Sequence, residues 1–189
     1  MLKNLPHKES PSQTCGPYVH IGLTPNLVDI NGVIDQDLGT SMATDATKGE
    51  RITVKGQVLA GDGAVMPDAL IEVWQANADG VYDGDDFHGW GRHPCNLETG
   101  LFEFETIKPG SVEGQAPHIA FWLVARGMGM GVSTRMYFPE EQANADDPVL
   151  ALLMDDPARI NTLIARKDSS TYHFNIVVQG ENETVFFDI

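Results

Sequence analysis

The sequence predicts a mainly β protein, folded as a single-domain β-sandwich with an extended N-terminal arm. Short apolar segments follow one another closely, separated by turn sequences such as "GDG" at 61–63 and "NADG" at 77–80. In "RITVKGQVLA" at 51–60, apolar and polar residues alternate, which is typical of a strand with one buried face. Only one stretch, at about 147–166, has a helical pattern, and Pro157 limits it to one or two short helices. Many short strands with so little helix indicate two packed sheets.

Two segments are almost continuously apolar, "ALIEVWQA" at 69–76 and "HIAFWLVA" at 118–125. Such runs are expected of strands that are buried on both faces, and the second reads as a central strand. Trp74 and Trp122 lie within these runs and are therefore predicted to be core residues. Further strands are predicted in "GLFEFETI", "VSTRMYF" and "YHFNIVVQG", and "ETVFFDI" closes the chain.

The beginning of the chain has a different composition from the predicted strands. Pro6, Pro11 and Pro17 alternate with polar residues, which favours an extended arm with little internal structure. We therefore divide the chain into an arm of residues 1–23, expected to dock on another chain, and a sandwich domain of residues 24–189. In the first part of that domain, at about 24–50, apolar residues have no regular spacing, so this segment is predicted to be a long connection.

Composition excludes several classes of partner. The 189 residues include 12 basic and 27 acidic side chains, a net charge of −15, so a nucleic acid or an anionic membrane is not expected to bind. No apolar run approaches the roughly 18 residues that a membrane span needs. Without the apolar core of a signal peptide, the N-terminus indicates a cytoplasmic protein. Cys15 and Cys95 have no metal-ligand spacing and are expected to be free thiols.

Four segments resemble, in order, the signature parts of the intradiol ring-cleaving dioxygenases, non-haem iron enzymes that open catechols between their two hydroxyl groups. These segments are "LIEVWQANADGVY", "GLFEFETIKPG", "APHIAF" and "TRMYF". Both ends of the chain, "SPSQTCGPYVHIGL" at 10–23 and "QGENETVFFDI" at 179–189, resemble one branch of that family. The resemblance covers about residues 10–189 and implies a sandwich of the intradiol dioxygenase type.

The resemblance also implies what has happened to the family's metal site. In the family, two tyrosines and two histidines hold ferric iron, because phenolate oxygen suits Fe(III) and imidazole supplies nitrogen donors. By position, Tyr82 and His118 correspond to two of these ligands, whereas Val112 and Ala120 stand at the other two. The family's catalytic arginine falls near Gln115. We therefore expect no metal ligands and no catalytic residues in this chain, with Tyr82 and His118 as remains of a lost site.

This pattern resembles the non-catalytic chain of a heteromeric family member, whose related β chain holds the Fe(III). It implies an obligate heterodimer with that iron-bearing chain, assembled into a higher hetero-oligomer, and an anionic aromatic acid bound at the interface. For this chain it implies substrate contacts from Arg126 in "LVARG", whose guanidinium can hold a carboxylate. It implies further contacts from the arm residues Thr14, Gly16, Pro17 and Tyr18.

Other interpretations of the same residues stay open at this point. Without the family resemblance, His118 on an apolar strand and Tyr82 in a turn are ordinary packed residues, and Arg126 is an ordinary surface charge. The chain could then be a stand-alone β-sandwich binding module that shares only the fold. It could also be an iron enzyme that recruits a replacement ligand such as His88 or His93.

Overall fold

Nine strands form the framework of the chain. The computed structural model describes residues 13–82, 84 and 87–188. The strands are β1 Arg51–Leu59, β2 Leu70–Trp74, β3 Trp90–Pro94, β4 Leu101–Ile107, β5 His118–Val124, β6 Val132–Tyr137, β7 Arg166–Asp168, β8 Thr171–His173 and β9 Ile176–Val177. They form two sheets, so the mainly β class and the sandwich predicted from the sequence are confirmed.

The two sheets differ in how their strands are connected. In the first, the β1 sheet, the strand order is β4-β1-β8-β7, and β9 also pairs with β1. Within it, β1 is antiparallel to β4 but parallel to β8 and β9. The second, the β5 sheet, has the order β3-β2-β5-β6 and is antiparallel throughout. The central place predicted for β5 is therefore correct.

The core lies between the sheets and is built by alternation along the strands. In β4, Phe102 and Phe104 point inwards and are buried, whereas Glu103 and Glu105 face outwards. The Phe102 ring lies 6.0 Å from the ring of Phe121, which belongs to β5 in the opposite sheet. Aromatic pairs across the layer therefore hold the two sheets together.

The prediction that Trp74 and Trp122 are core residues is wrong. Both lie on the outer face of the β5 sheet, where their side chains are 38% and 37% exposed. Other apolar residues of β2 and β5 point into the core. The tryptophans alternate with them, so they lie on the opposite face although the sequence is apolar at both kinds of position. The Trp122 ring lies against the backbone of Gly131, where an added Cβ would come within 2.4 Å of it.

The N-terminal arm is only partly extended. Residues 1–12 lie outside the described residues, and residues 13–16 have no regular structure, but Pro17–Leu23 forms a short helix, α1. The extended conformation, predicted from the prolines of residues 1–17, therefore ends where α1 begins. Proline is favoured in the first turn of a helix, because its missing N–H has no partner there in any case. Pro17 thus begins a helix instead of excluding one.

The predicted helical stretch near 147–166 consists of two short pieces. A 3₁₀ turn covers Leu150–Leu153, and a second helix, α2, covers Pro157–Asn161, with Pro157 in its first turn. Two more 3₁₀ turns occur at Asn26–Val28 and Gln142–Asp146. Among the residues that the structure describes, no helix is long and apolar enough to cross a membrane.

Candidate functional site

The outer face of the β5 sheet brings together the positions that the resemblance assigns to a metal site. In an antiparallel pair, residues directly opposite each other point to the same face. Ala120 in β5 is opposite Trp74 in β2 and opposite Arg135 in β6. His118, two residues before Ala120, lies on that face as well. The Tyr82 ring stacks on Trp74, with centroids 5.9 Å apart and planes 6° from parallel, so Tyr82 also belongs to this cluster.

Val112 and Gln115 border the cluster from the turn between β4 and β5. Their backbones pair with each other across Glu113 and Gly114, which both have positive φ angles, 48° and 81°. The backbone of Ser111, the residue before Val112, packs on the turn before Tyr82. A Cβ added at Gly80 in that turn would lie 2.0 Å from the Ser111 carbonyl oxygen. The turns that present Tyr82 and Val112 are therefore in contact.

Arg135 places a positive charge in this cluster. Its Nη1 donates a hydrogen bond of 2.5 Å to Gln115 Oε1, and its guanidinium carbon lies 5.9 Å from the centre of the Phe187 ring. Its charge acts on both residues that the resemblance assigns to ligand positions, lowering the pKa of His118 and opposing the increase in the pKa of Tyr82. In the sequence, Arg135 is part of "TRMYF", and nothing in that segment alone predicts a role for it. The pairing of β6 with β5 puts Arg135 opposite Ala120, and this position makes it the positively charged residue of the cluster.

Three ring side chains near Arg135 are neutral at pH 7. His118 is buried, and its Nδ1 donates to the Ala116 carbonyl oxygen at 2.8 Å. Burial lowers the pKa of His118, so the imidazole is uncharged. Burial raises the pKa of the Tyr82 phenol. Burial likewise raises the pKa of Tyr137, opposite His118, to about 12, although Arg135 acts in the other direction. Tyr137 in turn donates a hydrogen bond of 3.3 Å to the buried side chain of Asp147, an acidic residue in contact with this cluster.

These residues do not fit ferric iron. Val112 and Ala120 have no donor atom, and the Arg135 guanidinium beside Gln115 repels a second cation at short range. Across residues 13–82, 84 and 87–188, no group of three or more His, Cys, Asp or Glu side chains could hold a metal ion. His93 is not available as a substitute ligand at this face, because its ring packs edge-on against Phe104 at 6.1 Å.

A second cluster joins the arm to the turn that follows β5. The hydroxyl oxygen of Thr14 accepts a hydrogen bond of 2.6 Å from the backbone N–H of Gly127. The neighbouring N–H of Arg126 donates to Asp68 Oδ2 at 3.2 Å. Four of the residues to which the sequence analysis assigned substrate contacts are therefore close together in space. These are Thr14, Gly16, Pro17 and Arg126.

A cavity of about 560 Å³ separates the arm from the sandwich at this point. Gly16, Pro17 and Arg126 line it together with Asp68 and Cys15. The rest of its wall is mainly apolar. Its apolar residues are Ile21, Val28, Ile30, Pro67 and Leu97, and His20 also lines it. An apolar cavity with a few charged groups at its edge is the usual environment for an aromatic ligand.

Two side chains extend from this cluster into solvent. The Arg126 side chain is 80% exposed, and its Nε lies 3.9 Å from Asp68 Oδ2, at the limit of an ion pair. Tyr18, the remaining predicted contact residue, is 82% exposed. A guanidinium in this setting can still form paired hydrogen bonds with a carboxylate, and Tyr18 can cover an aromatic ring or a partner surface.

Comparison with known proteins agrees with the sandwich fold and identifies its family. Residues 24–180 match the family model Dioxygenase_C, described as "Dioxygenase". The structure resembles the dioxygenase domain of a dioxygenase carbohydrate-binding protein fusion from Streptomyces sp. SirexAA-E, with a TM-score of 0.62 and 25% identity over 90% of this chain and 99% of that one. The chain belongs to the intradiol dioxygenase family of oxidoreductases.

Within the family, the relatives include both chains of one heteromeric enzyme. The chain is 43% identical to the protocatechuate 3,4-dioxygenase alpha chain of Pseudomonas putida, covering 95% of this chain and 96% of that one. It is 35% identical to the protocatechuate 3,4-dioxygenase beta chain of Burkholderia cepacia, over 81% of this chain and 75% of that one. The resemblance to this branch of the family is therefore confirmed.

Proposed function

We propose that the chain is the non-catalytic alpha subunit of a protocatechuate 3,4-dioxygenase. In this role it packs on an iron-bearing beta subunit and completes the pocket in which O₂ cleaves 3,4-dihydroxybenzoate to 3-carboxy-cis,cis-muconate. The observation that supports this role most directly is the position of Arg135. It lies opposite Ala120, in a cluster where two of the four expected metal-donor residues are missing. In this proposal the beta chain binds the Fe(III), and this chain binds none.

This chain's contribution is then to bind and orient the substrate. Arg126 would hold the carboxylate of the aromatic acid, which its exposed guanidinium can reach without losing a strong ion pair. Thr14, Gly16, Pro17 and Tyr18 would form the rim of the pocket, fixed to the Arg126 turn through the bond from Gly127 to Thr14. The oxygen chemistry stays with the beta chain.

The proposed partner is a related beta chain, in an obligate heterodimer and a higher hetero-oligomer. Support comes from the relatives, which include alpha and beta chains of the same enzyme. We propose that the arm of residues 1–23 docks on that partner and that residues 24–189 form the sandwich domain. The net charge of −15 disfavours nucleic acids and anionic membranes as partners. A cytoplasmic location is supported by Cys15 and Cys95, which are free thiols.

Co-expression with a beta chain of the family tests this proposal. We expect a stable complex that contains iron and cleaves 3,4-dihydroxybenzoate. Arg126→Ala should raise KM for this substrate about tenfold, because a charge-assisted pair is lost, and leave the iron content unchanged. Arg166→Ala, an exposed arginine on β7 in the other sheet, is the matched control and should leave KM unchanged.

Three results would contradict the proposal. Stoichiometric iron in the isolated chain would identify it as an iron enzyme with a replacement ligand. A monomer that ignores the beta chain would fit the stand-alone binding module instead. A complex whose KM does not respond to Arg126→Ala would remove Arg126 from the substrate pocket.

A further inference from the structure

Asp68 is the residue at which the arm and Arg126 meet. It lies in the connection between β1 and β2. Its backbone carbonyl oxygen accepts a hydrogen bond of 2.9 Å from His20 Nε2, in helix α1. Its carboxylate oxygen Oδ2 accepts a hydrogen bond of 3.2 Å from the backbone N–H of Arg126. One residue therefore contacts both parts of the proposed substrate pocket that this chain supplies.

The bond from His20 is important for the arm because α1 has only seven residues. A helix of this length is not stable in water by itself, so its place on the sandwich depends on tertiary contacts. His20 is the buried residue of α1, 8% exposed, and its Nε2 must be the protonated nitrogen because a carbonyl oxygen can only accept. The His20 side chain thus anchors the helix to Asp68.

The contacts continue into the turn after β5 and return to the arm. Arg126 is bound to Asp68 through its backbone, and the next residue, Gly127, donates to Thr14 at the start of the arm. Asp68 then leads back to His20. A closed circuit of hydrogen bonds and short backbone links therefore runs through Thr14, Gly127, Arg126, Asp68 and His20. Each hydrogen bond of this circuit therefore restrains the arm and the turn relative to each other.

The geometry indicates what the Asp68 carboxylate does for Arg126. Its contact with the backbone N–H is a normal hydrogen bond, whereas its distance of 3.9 Å from Nε is at the limit of an ion pair. Because the guanidinium is largely exposed, that ion pair contributes little. Asp68 therefore fixes the point from which the Arg126 side chain extends and leaves its charge available to a ligand.

We propose that Asp68 is a positioning residue, which holds Arg126 and the arm in the arrangement that binds the carboxylate of the aromatic acid. The proposal rests on the function proposed above. A negative charge beside an anionic substrate is unfavourable in itself, so the useful property of Asp68 is its side-chain oxygen acceptor. Asparagine retains such an oxygen, and alanine does not.

The test compares Asp68→Ala with Asp68→Asn in the complex with the beta chain. Asp68→Ala should raise KM for 3,4-dihydroxybenzoate about fivefold, with kcat within twofold and iron unchanged. Asp68→Asn should have a KM no higher than that of the wild type. The amides of Arg126 and Gly127 should exchange faster with solvent in Asp68→Ala. Asp155→Ala, an exposed aspartate outside this cluster, is the control.

A readout based on substrate charge separates positioning of Arg126 from a general loss of structure. The uncharged analogue 3,4-dihydroxybenzaldehyde lacks the carboxylate, so Asp68→Ala should raise its KM less than that of the acid. An equal increase for both substrates would overturn the positioning role. An Asp68→Asn variant as impaired as Asp68→Ala would also overturn it, because the acceptor would then not be the useful property.

The failure of this inference can be distinguished from the failure of the proposed function. If Arg126→Ala raises KM but Asp68→Ala does not, Asp68 has no positioning role and the proposed function stands. If neither variant changes KM, the proposed function is itself wrong. Should Asp68→Ala fail to assemble, Asp68→Leu replaces it, because leucine also lacks an acceptor but is closer in size to aspartate. It should raise KM about fivefold, and an unchanged KM would overturn the inference.

Discussion

Arg135 donates a 2.5 Å hydrogen bond to Gln115, and this bond spans the edge of the outer face of the β5 sheet. Arg135 comes from β6, and Gln115 from the turn that leads into β5. The Arg135 side chain therefore supplies a positive charge at the place where the family resemblance puts a metal ion. The family's catalytic arginine, in contrast, would lie near Gln115. An internal contact between two side chains thus occupies the edge of the face where the resemblance predicts a lost metal site.

Arg135→Met should raise the pKa of His118. Burial is the main reason that this pKa is low, and the positive charge of Arg135 lowers it further. Without that charge the imidazole binds a proton more readily, but burial keeps its pKa below the ordinary value. The measurement is an NMR titration of the His118 ring protons. Arg126→Met, at the other cluster, is the control, and a decrease in Arg135→Met would contradict the placement of the guanidinium.

Thr14→Val should weaken substrate binding in the complex with the beta chain. Valine has nearly the same shape but cannot accept the hydrogen bond from Gly127, whose typical net value is about 1 kcal/mol. We expect KM for 3,4-dihydroxybenzoate to rise about threefold to fivefold at constant iron content. Thr171→Val, in β8 of the other sheet, should have no effect on KM. Equal kinetics in both variants would show that the bond between Thr14 and Gly127 does not support the pocket.

Glu140→Gln should destabilise the protein at pH 7 and have a smaller effect in acid. Burial raises the pKa of Glu140, but hydrogen bonds from Lys167, Tyr172 and Lys108 outweigh it and lower the pKa to about 2. A lowered pKa in the folded state contributes stability above the unfolded value of about 4.3, and this stability is lost as the pH falls towards 2.

The size of that effect is limited by solvent, because the Glu140 side chain is 33% exposed. A contribution of about 1 kcal/mol corresponds to a decrease in Tm of about 2–4 °C for a chain of this size. Thermal unfolding of wild type and variant at pH 7 and pH 3 measures it. The control is Glu141→Gln, which removes one ion pair to Lys108 only. If the Tm difference between wild type and Glu140→Gln were larger at pH 3 than at pH 7, the lowered pKa of Glu140 would be contradicted.

Gly131→Ala should displace the Trp122 ring. An added Cβ would lie 2.4 Å from three atoms of the indole, so the ring or the loop must move. Overpacking of this kind costs about 1–3 kcal/mol, and we expect a lower Tm with a shift in tryptophan emission. Gly22→Ala is the matched control, since nothing lies within 4 Å of its added Cβ. Unchanged emission in Gly131→Ala would show that the contact with Trp122 is absent.

Strand pattern was a good guide to the fold where one face of a strand is polar. Phe102 and Phe104 alternate with glutamates, and their inward orientation follows from a period of two. Trp74 and Trp122 could not be placed in this way, because an apolar residue gives no sign of which face it occupies. Strand β3 was not predicted at all, since "WGRHP" has neither alternation nor many β-forming residues.

For the candidate site, sequence reasoning found residues but not their relationships. The resemblance pointed to His118 and Ala120, yet the importance of Arg135 depends on the register of β6 against β5. Asp68 was missed because nothing in "VMPDAL" indicates that the arm will contact this turn. Contacts between residues 48 and 58 positions apart, as from Asp68 to His20 and to Arg126, follow only from the folded chain.

The parallel pairing of β1 with β8 and β9 also sets the order in which the two halves of the sandwich can form. All strands of the β5 sheet are complete once residue 137 has been synthesised, whereas β1 must wait for residues 171–177 to obtain its partners on one side. During translation, that side of β1 stays unpaired until residues 171–177 have left the ribosome. An early stop after β6 would therefore release a chain with an open, aggregation-prone strand edge.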